Sequence, residues 1–219
     1  MKKLVLFLSL LAFIFSFEAK GVDISVYQGD INFHEMKKGG YSFVIIRAGY
    51  GREASQKDKK FEKFYKEAKE AGMNVGAYWY SYADSAKIGL TEAKVFHSII
   101  KGKKFEYPVY YDIEEQKIFK GGYTSKLAKT FCDYMEKEKY FCGIYASLSF
   151  LNNYFSSEVK EKYSIWVAQY HNHCDYKGAK GMWQHSSKGG VPGYNHDIDK
   201  DIAYVDFKSI ITSKHLNGF

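Results

Sequence analysis

Four acidic residues of this 219-residue chain stand where chemistry is easiest to build: Asp23 in GVDISVYQG, Asp112 and Glu114 in PVYYDIEE, and Asp199 in DIDKD. Each lies in or at the end of a short apolar run. Asp112 and Glu114 carry the most information. Side chains alternate faces along an extended strand, so two acids separated by Ile113 point the same way, about 7 Å apart. In an apolar setting each raises the cost of ionising the other, and one keeps its proton near neutral pH. A proton donor beside a carboxylate is what cleavage of a glycosidic bond needs. The acid protonates the leaving oxygen, and the negative group, or a nucleophile beside it, stabilises the oxocarbenium-like centre. A lone Asp-x-Glu is a weak signal, because solvated acids at strand ends are common. The run Pro108-Val109-Tyr110-Tyr111 ahead of it, which reads as a buried strand, strengthens the reading.

Residues 21–27, 43–50, 74–82, 108–114, 142–148, 165–170, 181–185 and 198–207 are rich in Val, Ile, Tyr and Trp and read as eight strands. Several are apolar at nearly every position, as parallel strands covered on both faces are. Between them lie helical spacings. Residues 57–71 place Phe61, Phe64, Tyr65 and Ala68 on one face and end at Gly72, a C-cap. Residues 84–100 offer Asp84 as an N-cap, and residues 124–139 carry Leu127, Ala128, Phe131, Tyr134 and Met135. Such alternation predicts an α/β protein with a parallel sheet, and eight strands predict closure. A regular eightfold barrel needs about 250 residues. Here the last three strands are separated by only about ten residues each, less than the dozen or so of a parallel crossover. The expectation is an irregular TIM-like barrel with about five β/α units and three further strands, which close through loops with antiparallel pairing open to them. Reactive groups then gather at the C-terminal face.

Met1-Lys2-Lys3 and the apolar run of residues 4–17 have the pattern of a secretory signal peptide, too short for a comfortable membrane span. Cleavage is expected near residues 17–19; the alternative is an uncleaved anchor. Residues 1–19 are thus read as leader and 20–219 as a single catalytic barrel domain of a secreted protein. Cys132, Cys142 and Cys174 are too few for a disulfide framework; the first two either pair or remain core thiols. A formal charge of +7 favours anionic partners, but the basic residues are scattered and form no arm or stripe, which argues against nucleic acid. Twenty Tyr, 17 Phe and three Trp suit a sugar-binding cleft, and equally a lysine-, isoleucine- and tyrosine-rich genome. No metal site is expected. Asp197-x-Asp199-x-Asp201 is followed by Ile202 and Lys208 where a calcium loop needs Gly and Glu, and His171-x-His173-Cys174 lacks further matching ligands. Phosphate-loop and serine or cysteine nucleophile motifs are absent.

The segments GVDISVYQGDINF, FVIIRAGYG, GAYWYSYA, PVYYDIE, GIYAS, SIWVAQY, GMWQHSSKGGVPG and IDKD, in this order, resemble glycoside hydrolase family 25, the Chalaropsis-type lysozymes. The resemblance runs from about residue 21 to about residue 207. It implies an irregular barrel of five strand–helix units and three further strands. It also implies N-acetylmuramidase activity on the β-1,4 bonds between N-acetylmuramic acid and N-acetylglucosamine of bacterial peptidoglycan, with retention and without metal or cofactor. By resemblance Glu114 is the general acid and later the base. Asp112 is then the second carboxylate, either nucleophile or the group orienting the substrate's acetamido oxygen. Asp23 and Asp199 hold the network and the sugar; Asp197 and Asp201 compete for the last role, and the VPG run favours Asp199. Arg47, Tyr78, Tyr80, Tyr111, Tyr145, Trp166, Tyr170 and Gln184 lie at or near strand ends and are candidates to line the groove, by stacking on sugars or by hydrogen bonding. A monomer acting on peptidoglycan, with no nucleic-acid partner and no stable membrane association after leader removal, is the resulting expectation. The alternatives are a glycan-binding barrel without activity and one cleaving chitin oligomers.

Overall fold

The computed structural model describes residues 17–115, 117 and 122–219. The leader expected at residues 1–19 therefore falls outside the described residues, except for its last three positions. Eight strands close into a barrel in sequence order: β1 (Ala19–Ile24), β2 (Tyr41–Tyr50), β3 (Asn74–Tyr80), β4 (Val109–Asp112), β5 (Cys142–Ser147), β6 (Ser164–Ala168), β7 (Met182–Ser186) and β8 (Asp199–Ala203). β1 starts within the interval read as leader, since Ala19 already pairs with Ala203.

Helices follow the first five strands. They are α1 (Phe33–Lys38), α2 (Phe61–Glu70), α3 (Ala86–Ile100), α4 (Thr124–Lys137), and the pair α5 (Leu148–Tyr154) and α6 (Ser157–Lys162); α7 (Phe207–Ser213) comes after β8. The five β/α units expected from spacing are present. Only β8 is antiparallel, to β7 on one side and β1 on the other. β7 runs parallel to β6, its crossover made by residues 169–181 without a helix. At its C-terminal end α2 follows the glycine signal: Gly72 takes φ +71°, and the Met73 N–H reaches back to the Ala68 carbonyl. At α3 the cap is Ser85 rather than Asp84, because Ser85 is the extended residue whose Oγ accepts from the Ile88 N–H.

Period-2 alternation sorts the strands into two cores. Val44 and Ile46 face outward and pack with Phe64, Phe96 and Phe131 of the helices, whereas Phe43 and Ile45 face into the barrel with Tyr110, Trp166 and Phe207. The inner set fills the barrel from below: Phe43 stacks on Tyr107 at 4.3 Å, and Phe207 of α7 meets Tyr107 edge-on. Gly143 is glycine for a reason. A Cβ there would lie 2.4 Å from the Tyr110 ring and 2.6 Å from the Ser164 carbonyl oxygen. Above this apolar plug the inward positions turn polar, and the site begins. Cys132 and Cys142 are buried free thiols with their sulfurs 3.2 Å apart, between α4 and β5.

Candidate active site

At the C-terminal mouth of the barrel lies an open cleft of about 260 Å³, lined by Asp23, Arg47, Asp112, Glu114 and Asp199 together with Tyr, Trp and Gln side chains. Register explains the convergence. Asp23 on β1 is paired with Asp199 on β8, and Asp112 sits between Tyr80 on β3 and Tyr145 on β5. β4 ends at Asp112, but the Ile113 N–H still bonds to the Tyr145 carbonyl, so alternation holds for one more residue and Glu114 enters the cleft. Ile113 points away into the outer core. Gln184 ties the floor together: its Nε2 donates to Asp23 Oδ2 at 2.8 Å, and its Oε1 accepts from the Tyr145 hydroxyl at 2.9 Å.

Asp23, Asp112, Glu114 and Asp199 line the cleft with Asp201 buried beneath them, and each of these carboxyls is held above its ordinary pKa. Asp112 is buried; burial first, and the Glu114 charge next, hold its carboxyl well above the usual carboxylate range, with Arg47 pulling the other way. Glu114 keeps solvent contact at the rim, yet crowding by the cleft walls also raises its pKa, while its hydrogen bond with Asp112 draws it back. Two carboxyls can hydrogen-bond only through a proton, and the hydrogen bond raises Asp112 while lowering Glu114, which favours the proton on the buried member. Asp23 is likewise raised by burial and by Asp199, and lowered by hydrogen bonds from Gln184 and Asp201. Burial pushes Asp199 up to about 6. Arg47 is the cation facing these acids. Its Nε donates to Asp58 Oδ2 at 2.8 Å and its guanidinium lies 5.1 Å from the centre of the Tyr27 ring. Such a site can hold a transferable proton next to negative charge in an open cleft.

Residues 22–194 match the model of glycosyl hydrolases family 25. The chain belongs to that family. It is 28% identical over 187 residues to the autolytic lysozyme of Clostridium acetobutylicum, covering 83% of this chain but only 55% of the relative's length. Among solved structures, the bacterial lysozyme of Streptomyces coelicolor superposes with a TM-score of 0.74 at 26% identity, covering 91% of this chain and 97% of that one. The modular autolysin LytC of Streptococcus pneumoniae, in complex with a synthetic peptidoglycan ligand, superposes with a TM-score of 0.74 at 25% identity, covering 85% of this chain and 47% of that one.

For a family 25 member, most residues singled out in the sequence converge. Tyr78, Tyr80, Tyr145, Trp166, Tyr170 and Gln184 line the cleft beside the four acids and Arg47. Trp166 is nearly inaccessible and forms part of the floor, whereas Tyr170 stands 59% exposed, with its face open to a sugar. Tyr111 does not reach the cleft. It is buried on the outer side of β4, stacked on Phe131 of α4 at 3.7 Å, with its hydroxyl donating to Glu92. Its neighbour Asp112 points inward, and adjacent strand residues cannot share a face. The register question at β8 has a composite outcome: Asp199 lines the cleft, Asp201 lies buried beneath it, and Asp197 turns outward to Lys188 and the Gly189 N–H. Asp58 and the cleft residue Tyr27 were not foreseen, and Asp201 was weighed only as an alternative to Asp199, not as a second inward acid beside it. Asp201 could have been found by applying the inward period of Asp199 once more. His171 and His173 face one another with Asp175 as third member rather than Cys174, all three exposed.

Proposed function

We propose that the chain is a secreted muramidase that hydrolyses the β-1,4 bond between N-acetylmuramic acid and N-acetylglucosamine in peptidoglycan, with retention. The observation that carries this reading is the pair Asp112 and Glu114, hydrogen-bonded at the floor and rim of an open cleft that Arg47 also lines. Glu114 is the member a substrate can reach, so it is the acid. Movement of the shared proton onto Glu114 leaves Asp112 ionised opposite Arg47, which stabilises that charge. Glu114 then protonates the glycosidic oxygen, and the leaving sugar departs with that proton.

Asp112 is 3% exposed and hydrogen-bonded to Glu114, an approach closer than the roughly 6.5–9.5 Å that an inverting pair keeps for its water. Both facts favour retention through the sugar's own acetamido group. In this reaction Asp112 accepts the acetamido N–H and the acetamido oxygen closes on the anomeric carbon. The Glu114 carboxylate later takes a proton from the water that reopens the ring. Asp23 and Asp199 hold the sugar, and Tyr170 offers a stacking face at the rim. Peptidoglycan as substrate is supported by family membership and by the ligand bound to LytC. Export is supported by the apolar amino-terminal run; among the described residues no helix is long and apolar enough to cross a membrane.

The test is hydrolysis of purified walls, with mass analysis of the sugar at each new reducing end. Glu114→Gln is expected to cut kcat by about 10²–10⁴-fold while the protein stays folded and still binds walls. Wild-type rate in that variant would remove Glu114 from the acid's role. New reducing ends on N-acetylglucosamine, or cleavage of chitin oligomers in preference to walls, would overturn the substrate.

A further inference from the structure

Below the reacting pair, β8 carries a second inward acid with no part in proton delivery to the leaving group. Asp201 is 1% exposed, paired in register with Gly21 of β1 and Gln184 of β7. Its Oδ1 accepts the indole N–H of Trp166 at 2.8 Å. Its Oδ2 is buried and receives no N–H or hydroxyl donor among the described residues, nor does any Lys, Arg or His among them form an ion pair with Asp201. An ionised carboxylate in this position would leave charge buried and unmatched, at a cost of several kcal/mol.

What faces it is another carboxyl. Asp201 and Asp23 are hydrogen-bonded to each other, which requires a proton between them. The surroundings decide where that proton sits. Asp23 lies at the cleft, and its Oδ2 already accepts from Gln184, whose orientation is fixed by the Tyr145 hydroxyl. Those donors favour the anion on Asp23. The other groups facing Asp201 are the Trp166 indole on β6, the Tyr110 phenol on β4 and Asp199 on its own strand, none of them cationic.

We propose that Asp201 is a positioning residue: a buried, neutral carboxylic acid that donates a hydrogen bond to Asp23 and fixes that carboxylate, ionised, in the orientation the sugar meets. Asp201 touches no substrate. It acts through Asp23, clamped between two donors, Gln184 from β7 and Asp201 from β8. A neutral acid in this place also limits the charge repulsion under the pair at Asp112 and Glu114. This role deepens the muramidase reading and its kinetic consequence rests on it; the protonation state does not.

If the group works as a neutral donor, an amide can replace it. In Asp201→Asn the side-chain oxygen accepts from Trp166 and the Nδ2 donates to Asp23. Asp201→Ala strands both partners. On soluble peptidoglycan fragments, Asn is expected to stay within about threefold of wild-type kcat with an unchanged pH profile. Ala is expected to lose about 10–100-fold in kcat, in the range found for lost supporting hydrogen bonds, with KM moving less. In parallel, carboxyl ¹³C NMR titration of the wild-type protein should show Asp201 holding its proton to higher pH than Asp23. A folded Asn variant as impaired as Ala, or an Asp201 that ionises before Asp23, would overturn the proposal. So would an Ala variant with wild-type kcat. Should Ala fail to fold, the Asn kinetics and the wild-type titration still decide. Inactivity of the wild-type protein on peptidoglycan would sink the muramidase reading instead, and the NMR titration alone would then accept or reject the neutral state of Asp201.

Discussion

Glu92 shows what a buried acid does outside the cleft. It is fully buried on α3, its Oε2 accepting the Tyr111 hydroxyl at 2.5 Å and its Oε1 the Tyr82 N–H at 3.0 Å. Burial pushes its carboxyl from 4.5 up to about 7. The folded state therefore prefers the protonated form more strongly than the unfolded chain does. That contribution is complete below about pH 4.5 and is lost as pH rises through about 7; the gap corresponds to about 3 kcal/mol. Gln at this position stays neutral at every pH and can keep both contacts. The unfolding free energy of the wild type, measured by urea titration, is expected to fall by about 3 kcal/mol relative to Glu92→Gln between about pH 4.5 and about pH 8. A difference between the two proteins that does not change with pH would refute this account. The cleft acids shift in the same direction, so the comparison with the variant, rather than the wild-type curve alone, isolates Glu92.

Between elements, the loops after β1 and β2 are bound together by one side chain. Asp58 is almost wholly buried; its Oδ2 accepts both the Arg47 Nε–H at 2.8 Å and the Val26 N–H at 2.9 Å, while its Oδ1 accepts the Lys60 N–H. It thereby holds Arg47 facing the cleft acids. Asp58→Ala leaves a partly buried guanidinium unpaired and is expected to destabilise the protein by about 3 kcal/mol in denaturant melts. It should also raise KM as the Tyr27 loop loosens. A loss under about 1 kcal/mol with unchanged KM would contradict that role. Sequence reading could not have found Asp58, because a lone acid in a loop has no periodicity and its partners lie on two other segments. Strands are different. Alternation made Asp112 and Glu114 legible as one face, and a place at or near a strand end marked Arg47, Tyr78, Tyr145 and Gln184. The same criterion took in Tyr111, which alternation sets on the face opposite Asp112, in the outer core. The five helical units and the looped closing strands were legible from spacing. The parallel direction of β7 was not, since residues 169–181 complete a parallel crossover with no helix.

Across the whole molecule, charge is divided against itself. The chain carries a formal charge of +7 and a sequence pI near 9.0, yet its cleft gathers acids around a single facing arginine. On the proposed function, a polyanionic wall is expected to be drawn to the outer surface rather than to the reacting groups. The attraction acts over distances that salt controls: screening lengths shrink from about 10 Å at 0.1 M to about 3 Å at 1 M. The acids Asp23, Asp112 and Asp201 are buried and respond far less. Raising sodium chloride from about 0.05 M to about 0.5 M should therefore slow clearing of intact walls several-fold through weaker association. Turnover of a short, soluble muropeptide-free glycan should change by less than about twofold over the same range. Equal salt dependence for both substrates would show that the basic exterior has no part in bringing wall and cleft together. A rate on walls that rises with salt would mean that repulsion from the acidic cleft dominates the encounter.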